Sequence, residues 1–483
     1  MKYGINGGYL DLLSEGEIER IHRASLSLLA DPGMFCESDL ILDTFIKAGV
    51  RVDSERRLIF LTEDIIAHAL ASAPKSFTFY GRDPKRELLL ESGQVYFGMG
   101  GASEPFYWDY DLRLPRSPTK ADMVNCTRLG ERLQNVDFVL ALCSAGDVPR
   151  DEIFLHEYDA IMRNTTKPVV YAAPGRFFAA KFIEMACAAS GGEEAFRRRP
   201  WISAFVTPVA PLRVTSLDEC LYEFAEFNIP ALVRPGPMMG ATSPATLAGN
   251  LAQTNAEALF VIVLSQLIRK GMPVIYGPAT PAMDMTTTQC TYGSPDEAVG
   301  RAMVGQLGRF YNLPSWNTAA TEAKLPDAAA AAEAMFGMML NALSGTTVTQ
   351  TMGTLASGFY GSAEMLVICN EMARMIKYLL RGVQVSDDTL ALDVIREIGH
   401  GGNFLTHDHT AGFFRKELYF SHLFRRLTID QWQTQGGRSI LEEAHQVVQD
   451  VLRTAGPAPL PDGADEELQR ILAAAVREVR LHA

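Results

Sequence analysis

Between residues 94 and 360, short apolar runs recur about eight times, each followed by a loop rich in Gly, Pro, Ser or Thr and then by a stretch of helical length. The runs are 94–101, 137–143, 168–173, 201–207, 229–234, 272–277, 314–318 and 345–351. Each has the length of a buried strand. Most are continuous in hydrophobicity rather than alternating, as in a parallel sheet covered on both faces. Helix starts fall between them: Ser117-Pro118-Thr119 before a helix reaching Leu133, Ser216 before one over 217–227, and Ser294-Pro295-Asp296 before one over 297–310. Short polar side chains cap the first free amides, and proline fits the first turn. Eight strand–helix alternations predict an α/β protein with a (β/α)8 TIM barrel.

Three parts follow. Residues 1–93 form an N-terminal layer, with helices over 14–73 and a β-hairpin over 75–90 turning near Gly81-Arg82-Asp83-Pro84. Residues 94–385 are the barrel, closed by a helix over 361–382. Residues 386–483 are a C-terminal extension packing on the barrel, with His400, His407, His409 and His422, a Pro/Gly-rich linker over 456–463 and a last helix over 466–481.

Composition narrows the class. With 483 residues, 47% of them apolar, the chain can bury a large core. A formal charge of −13 without a Lys/Arg-rich run argues against nucleic acid as a partner. The cluster Arg197-Arg198-Arg199 suits a helix C-terminus. Seven cysteines without Cys-x-x-Cys spacing read as reduced core residues of a cytoplasmic protein. No signal peptide is expected, and the apolar run 258–264 is too short to span a bilayer, so it reads as a buried barrel helix.

In such barrels chemistry sits where the strands end. The segments closing the runs are 100–104, 144–147, 173–174, 207–208, 234–235, 277–289, 321–324 and 350–360. They hold few acid–base pairs, no histidine and no phosphate-binding glycine loop. They are instead rich in aromatics: Tyr96, Phe97, Phe106, Tyr107, Trp108 and Tyr110 around the first run, and Phe359-Tyr360 after the eighth, its neighbour on closure. Singly, each could equally cap the core. As a group they suit a quaternary ammonium ion, which has no N–H to donate and is held by aromatic faces at roughly 0.5–2 kcal/mol each. His407-Asp408-His409 raises a metal site, but alternate loop residues seldom aim at one ion and no His-Glu-x-x-His accompanies them. The segment reads rather as packing over the barrel mouth, and no metal is expected.

Several motifs, in order, resemble one family. They are Gly100-Gly101 with Asp109; residues 117–122; Thr166-Lys167-Pro168; residues 240–249 with Ala256-Glu257; residues 271–277; Leu313-Pro314; residues 323–327; residues 399–410; and Trp432. The chain resembles the corrinoid-dependent trimethylamine methyltransferase family over nearly its whole length. The resemblance implies a TIM barrel that moves a methyl group from an amine to the Co(I) of a separate corrinoid (cobalamin) protein. Trimethylamine enzymes of the family carry pyrrolysine inside the barrel, whereas every position here is an ordinary residue. The nonpyrrolysine branch, with a quaternary amine such as glycine betaine as methyl donor, is therefore the expectation.

On that reading Tyr96, Phe97, Tyr107, Phe359 and Tyr360 form the cage and Glu104 is a counter-charge. Arg234 holds the carboxylate through its planar fork, with a structural ion pair as its second reading. Gln350 and His407 or His409 orient the carboxylate; Lys324 and Asp327 read as a loop pair. A metal-dependent hydrolase or lyase on the same barrel, and a noncatalytic betaine-binding protein, stand as alternatives. A homo-oligomer is expected from the chain's size and apolar N-terminal layer.

Overall fold

The computed structural model describes residues 5–101 and 104–482. Eight parallel strands form its centre: β1 Gln94–Met99, β2 Phe138–Val139, β3 Val169–Tyr171, β4 Ile202–Val206, β5 Ala231–Val233, β6 Val274–Tyr276, β7 Trp316–Thr318 and β8 Val348–Met352. They are hydrogen-bonded in the order β6-β5-β4-β3-β2-β1-β8-β7. A parallel bridge between Tyr276 and Ser315, with the Tyr276 N–H donating to Pro314 O at 2.9 Å, joins β6 to β7 and closes the ring. The barrel read from the eight apolar runs is thus the observed fold. Its strands are shorter than the runs because the outer residues of each run turn into loops.

The surrounding helices are α1 Lys120–Arg132, α2 Ile153–Asn164, α3 Gly175–Ala189, α4 Cys220–Phe227, α5 Leu247–Ile268, α6 Pro295–Phe310, α7 Ala328–Ser344 and α8 Ala363–Leu380. The expected starts are present at α1, where Thr119 and Asp122 make a reciprocal capping box, and at α6, which opens on Ser294 and Pro295. The start expected at Ser216 lies one residue earlier. Thr215 caps a 3-10 turn, Ser216–Glu219, which feeds α4.

Helix α5 is apolar nearly all round, and residues 250–266 are buried throughout. Among the described residues it is the one helix long and apolar enough to cross a membrane, yet it lies inside the protein. The N-terminal layer covers α5 from outside: Ser25, on the helix Glu15–Ala30, donates to Ala252 O at 2.8 Å and accepts from Asn255 at 2.9 Å. That layer is not all helical as expected. Three-residue strands, Met34–Cys36, Arg51–Asp53 and Leu58–Phe60, make a small sheet joined by Arg213–Val214. Strands this short leave no readable alternation.

The hairpin Ser76–Phe79/Leu88–Glu91 is antiparallel as expected. It closes the end where the strands begin: the Tyr96 hydroxyl donates to Leu89 O at 3.0 Å, and Thr347, just before β8, donates to Glu91 O at 3.2 Å. Helix α8 ends at that same closed end, where Lys377 pairs with Asp137 at 2.9 Å just before β2. The extension then carries the helix Ile440–Thr454 against α8 and α1, with His445 2.9 Å from Glu364, and the helix Ala464–His482 against α2 and α3.

Burial sets a pH dependence. Glu157 on α2, Glu257 on α5 and Asp218 before α4 are each pushed up to about 7 by burial. Lys167, donating to Gly130 O and Leu133 O at the end of α1, is pushed down to about 7 by burial. Unfolded carboxyls titrate near ~4 and lysine near ~10. Over pH ~4.5–7 the folded protein therefore holds carboxyl protons that the unfolded chain lacks, and these groups weaken the fold as pH rises. Above pH ~7 the unfolded chain holds the lysine proton instead, and Lys167 strengthens the fold as pH rises. Urea midpoints should fall from pH ~5 to ~7. A steady rise over that interval would contradict protonated carboxyls.

Candidate active site

At the C-terminal ends of the strands lies an inner cavity of about 140 Å³, walled by Glu104, Arg234, Tyr292, Thr318, Gln350 and Ser357 among others. With a water taking roughly 30 Å³ of liquid, this is room for one small molecule. Arg234 follows β5 directly, and its N–H donates to Val206 O at 2.8 Å. Its guanidinium lies 5.0 Å from the Trp316 ring centroid and 5.5 Å from that of Phe205, from β7 and β4. Two rings hold the cation by its face, and its Nε–H is buried without a partner among the described residues. Trp316 also orients Gln350: the indole N–H donates to Gln350 Oε1 at 2.7 Å, which leaves the amide NH2 as the group to offer a ligand. Burial pushes the Tyr292 phenol up, opposed by Arg234 beside it.

Glu104 is 1% exposed and shares the cavity with Arg234. A Cβ on Gly101 would stand 2.6 Å from Glu104 Oε1, so glycine is what lets this carboxylate take its place. Of the predicted rim segment 100–104, residues 102–103 lie outside the described residues.

A larger vestibule of about 790 Å³ adjoins the inner cavity, with Ser357 lining both. Phe106, Phe359 and Tyr360 face it. They are brought together by a four-stranded sheet over the mouth, in which Tyr360 stands opposite Phe106 and the Phe106 N–H donates to Phe359 O at 3.1 Å. Phe106 and Phe359 are 42% and 50% exposed.

Five of the ten predicted site residues therefore come together at the mouth: Glu104, Arg234 and Gln350 inside, Phe359 and Tyr360 outside. Five do not. Tyr96 and Phe97 precede the end of β1, Tyr96 reaching the hairpin at the closed end and Phe97 lying under Lys377, 5.9 Å away. Tyr107 is tucked below the rim beneath Arg116, and burial, with Cys126 and Cys143 nearby, raises its phenol well above the usual range. His407 caps the helix Asp408–Glu417 by accepting from the His409 N–H at 3.0 Å; the His409 ring stacks on Phe413 and meets Asp388 O at 2.9 Å. That helix is held by the last turn of α8, where Tyr378 donates to Glu417 O and Arg381 to Lys416 O. The histidine segment thus packs at the closed end and not over the mouth, contrary to the expectation. Among the described residues no three His, Cys, Asp or Glu side chains converge on a point that could hold a metal ion. Lys324 and Asp327 do not pair: Asp327 caps α7 and Lys324 donates to Glu322 O.

Tyr292, Thr318 and Ser357 were missed as individual site residues. Tyr292 ends a loop containing a small hairpin, Ala282–Met283 with Cys290–Thr291, that returns the chain to the mouth. The helix start at Ser294-Pro295 marked that return two residues too late to name it.

A closed barrel with its cavity at the strand C-termini is the architecture of a TIM-barrel enzyme. The family described as trimethylamine methyltransferase (MTTB) matches residues 5–479. The trimethylamine methyltransferase MttB of Desulfitobacterium hafniense (strain DSM 10664 / DCB-2) is 34% identical over 97% of this chain and 94% of that one. The glycine betaine methyltransferase of Desulfitobacterium hafniense (strain Y51) is 29% identical over 97% and 98%. The crystal structure of the Methanosarcina barkeri monomethylamine methyltransferase (MtmB) covers 99% of this chain and 95% of its own at 13% identity, with a TM-score of 0.48. The chain belongs to the trimethylamine methyltransferase family.

Proposed function

We propose that this protein transfers a methyl group from a betaine, a quaternary amine bearing a carboxylate, to the corrinoid of a separate partner protein. The observation that carries the reading is the pairing of an anion-binding floor with an aromatic entrance. The Arg234 fork and the Gln350 amide lie inside, and Phe106, Phe359 and Tyr360 outside. A zwitterion fits both at once. Its carboxylate takes two parallel N–H donors from the guanidinium, and its trimethylammonium head, which no donor or acceptor can hold, faces rings and the Glu104 carboxylate. A glycine betaine methyltransferase among the relatives supports the substrate class.

The corrinoid fits the outer cavity rather than the inner one, because the vestibule is wide and bordered by exposed Phe106 and Phe359. When docked there it supplies the cobalt nucleophile. The chain's own residues position and desolvate the donor. Arg234 and Gln350 fix the carboxylate, so the C–N bond to be broken points outward. The leaving group is a neutral tertiary amine, and the positive charge of the ammonium disperses as the methyl departs. Removing water from the cavity therefore disfavours the substrate more than the transition state. No lone pair is available on a quaternary nitrogen, so no covalent adduct to the protein is called for.

The test is a panel of glycine betaine, proline betaine, carnitine, choline and trimethylamine with Co(I) corrinoid as acceptor, followed by the cobalt spectrum. Turnover is expected with carboxylate-bearing donors only; turnover of trimethylamine or choline at equal rates would overturn the reading. Phe359→Ala should weaken binding of glycine betaine by roughly 3- to 30-fold, measured by calorimetry. Tyr96→Phe, which removes the hydroxyl bonded to Leu89 O at the closed end, should leave that affinity unchanged.

A further inference from the structure

Glu322 lies four residues beyond β7, at the place where the two cavities meet. One of its carboxylate oxygens accepts the backbone N–H of Tyr292 and, at 2.8 Å, that of Gly293, both in the loop after β6. The other accepts the hydroxyl of Ser357, in the loop after β8. Tyr292 and Ser357 both line the inner cavity, whereas Glu322 and Ser357 line the vestibule. One carboxylate therefore ties a wall residue on each side of the passage.

The surroundings fix that carboxylate in turn. The N–H groups of Glu322 and Ala323 donate to Glu333 on α7 at 2.7 and 3.0 Å. From the other side Arg301, buried on α6, donates to Tyr292 O. A Cβ on Gly293 would lie 2.7 Å from Glu322 N, so the close approach of the two loops depends on glycine. Ala356 and Ser357 have φ of 52° and 58°, left-handed values that non-glycine residues adopt at a cost and keep only when held. Their N–H groups donate to Ala323 O and Thr321 O at 3.0 and 2.7 Å, on either side of Glu322.

We propose that Glu322 is a positioning residue for methyl transfer: by tying Tyr292 and Ser357 it sets the width of the passage through which the trimethylammonium head meets the acceptor. This rests on the betaine reading above. Glu322 acts through the two wall residues, and its three accepted hydrogen bonds are strengthened by its charge.

Glu322→Ala removes every acceptor, whereas Glu322→Gln keeps one for the two amides and turns an NH2 donor towards the Ser357 hydroxyl. The alanine variant is expected to raise the KM for glycine betaine about tenfold or more. It should also speed amide hydrogen exchange in both 284–294 and 353–360, measured without substrate. The glutamine variant should stay within about threefold of the parent KM. Ser357→Ala should loosen 353–360 alone. A purely structural residue would instead lower the folded fraction and leave KM unchanged. An alanine variant with parental KM, or one in which the two loops exchange as in the parent, overturns the proposal. So does a glutamine variant as impaired as alanine. Should the alanine variant fail to fold, Glu322→Asp, which withdraws the carboxylate by one methylene, is read by the same criteria. If the parent protein demethylates no quaternary amine, the betaine reading fails, while the exchange data still decide whether Glu322 ties the loops.

Discussion

Arg234→Ala is expected to lower kcat/KM for glycine betaine by about two orders of magnitude or more, the effect of losing a bidentate charged hydrogen bond worth roughly 3 kcal/mol. The loss should fall mainly on KM, because a carboxylate is bound equally in the ground and transition states, with some loss of kcat as the methyl group loses its aim. Arg234→Lys should recover only part of it: an ammonium keeps the charge but neither the fork nor the flat face that packs over Trp316 and Phe205. Steady-state kinetics on both variants, with circular dichroism to confirm folding, gives the answer. Parental KM in a folded alanine variant would make Arg234 a structural cation and remove the carboxylate from the substrate's required features.

Gly100→Ala should be the most damaging of the small substitutions, costing about 3 kcal/mol or more. Gly100 has φ of 72°, and a Cβ there would stand 1.9 Å from Ala141 O, a backbone atom that cannot swing aside. The residue also hooks β1 to β8, its N–H donating to Met352 O and its carbonyl accepting from Thr351, each at 3.1 Å. Displacing it would shift Gln350 and Thr351 in the cavity wall, so activity should fall with stability. Gly93→Ala is the control. It has φ of 89° but nothing within 4 Å of its Cβ, so it should cost only about 1 kcal/mol. Urea denaturation of the pair separates steric clash from backbone strain; equal losses would mean that the contact with Ala141 relaxes.

The barrel was legible because buried parallel strands announce themselves as short continuous apolar runs, whatever their exact ends. The same rhythm gave Glu104, Arg234 and Gln350, since each stands at or just past the end of its run. It failed inside β1. The aromatic pair Tyr96-Phe97 lies before Gly98 and Met99, so one ring points to the closed end and the next outward to α8. Tyr292 was hidden by a loop that folds back on itself, a long-range path with no local period. The histidine segment was misplaced for a related reason. Its position is decided by Tyr378 and Arg381 gripping main-chain carbonyls 39 and 35 residues away, and carbonyls have no sequence signature.

The hairpin beneath the strands has a consequence for the order of events. Among the described residues the hairpin stoppers that end of the barrel, and the inner cavity meets the vestibule at Ser357, where the proposed acceptor would stand. On the proposed reading, donor is expected to enter before the partner docks, and the demethylated amine to stay confined until the partner leaves. The kinetics expected on that reading are a compulsory sequence: excess partner protein would trap empty enzyme and slow turnover, and the amine product would be released last.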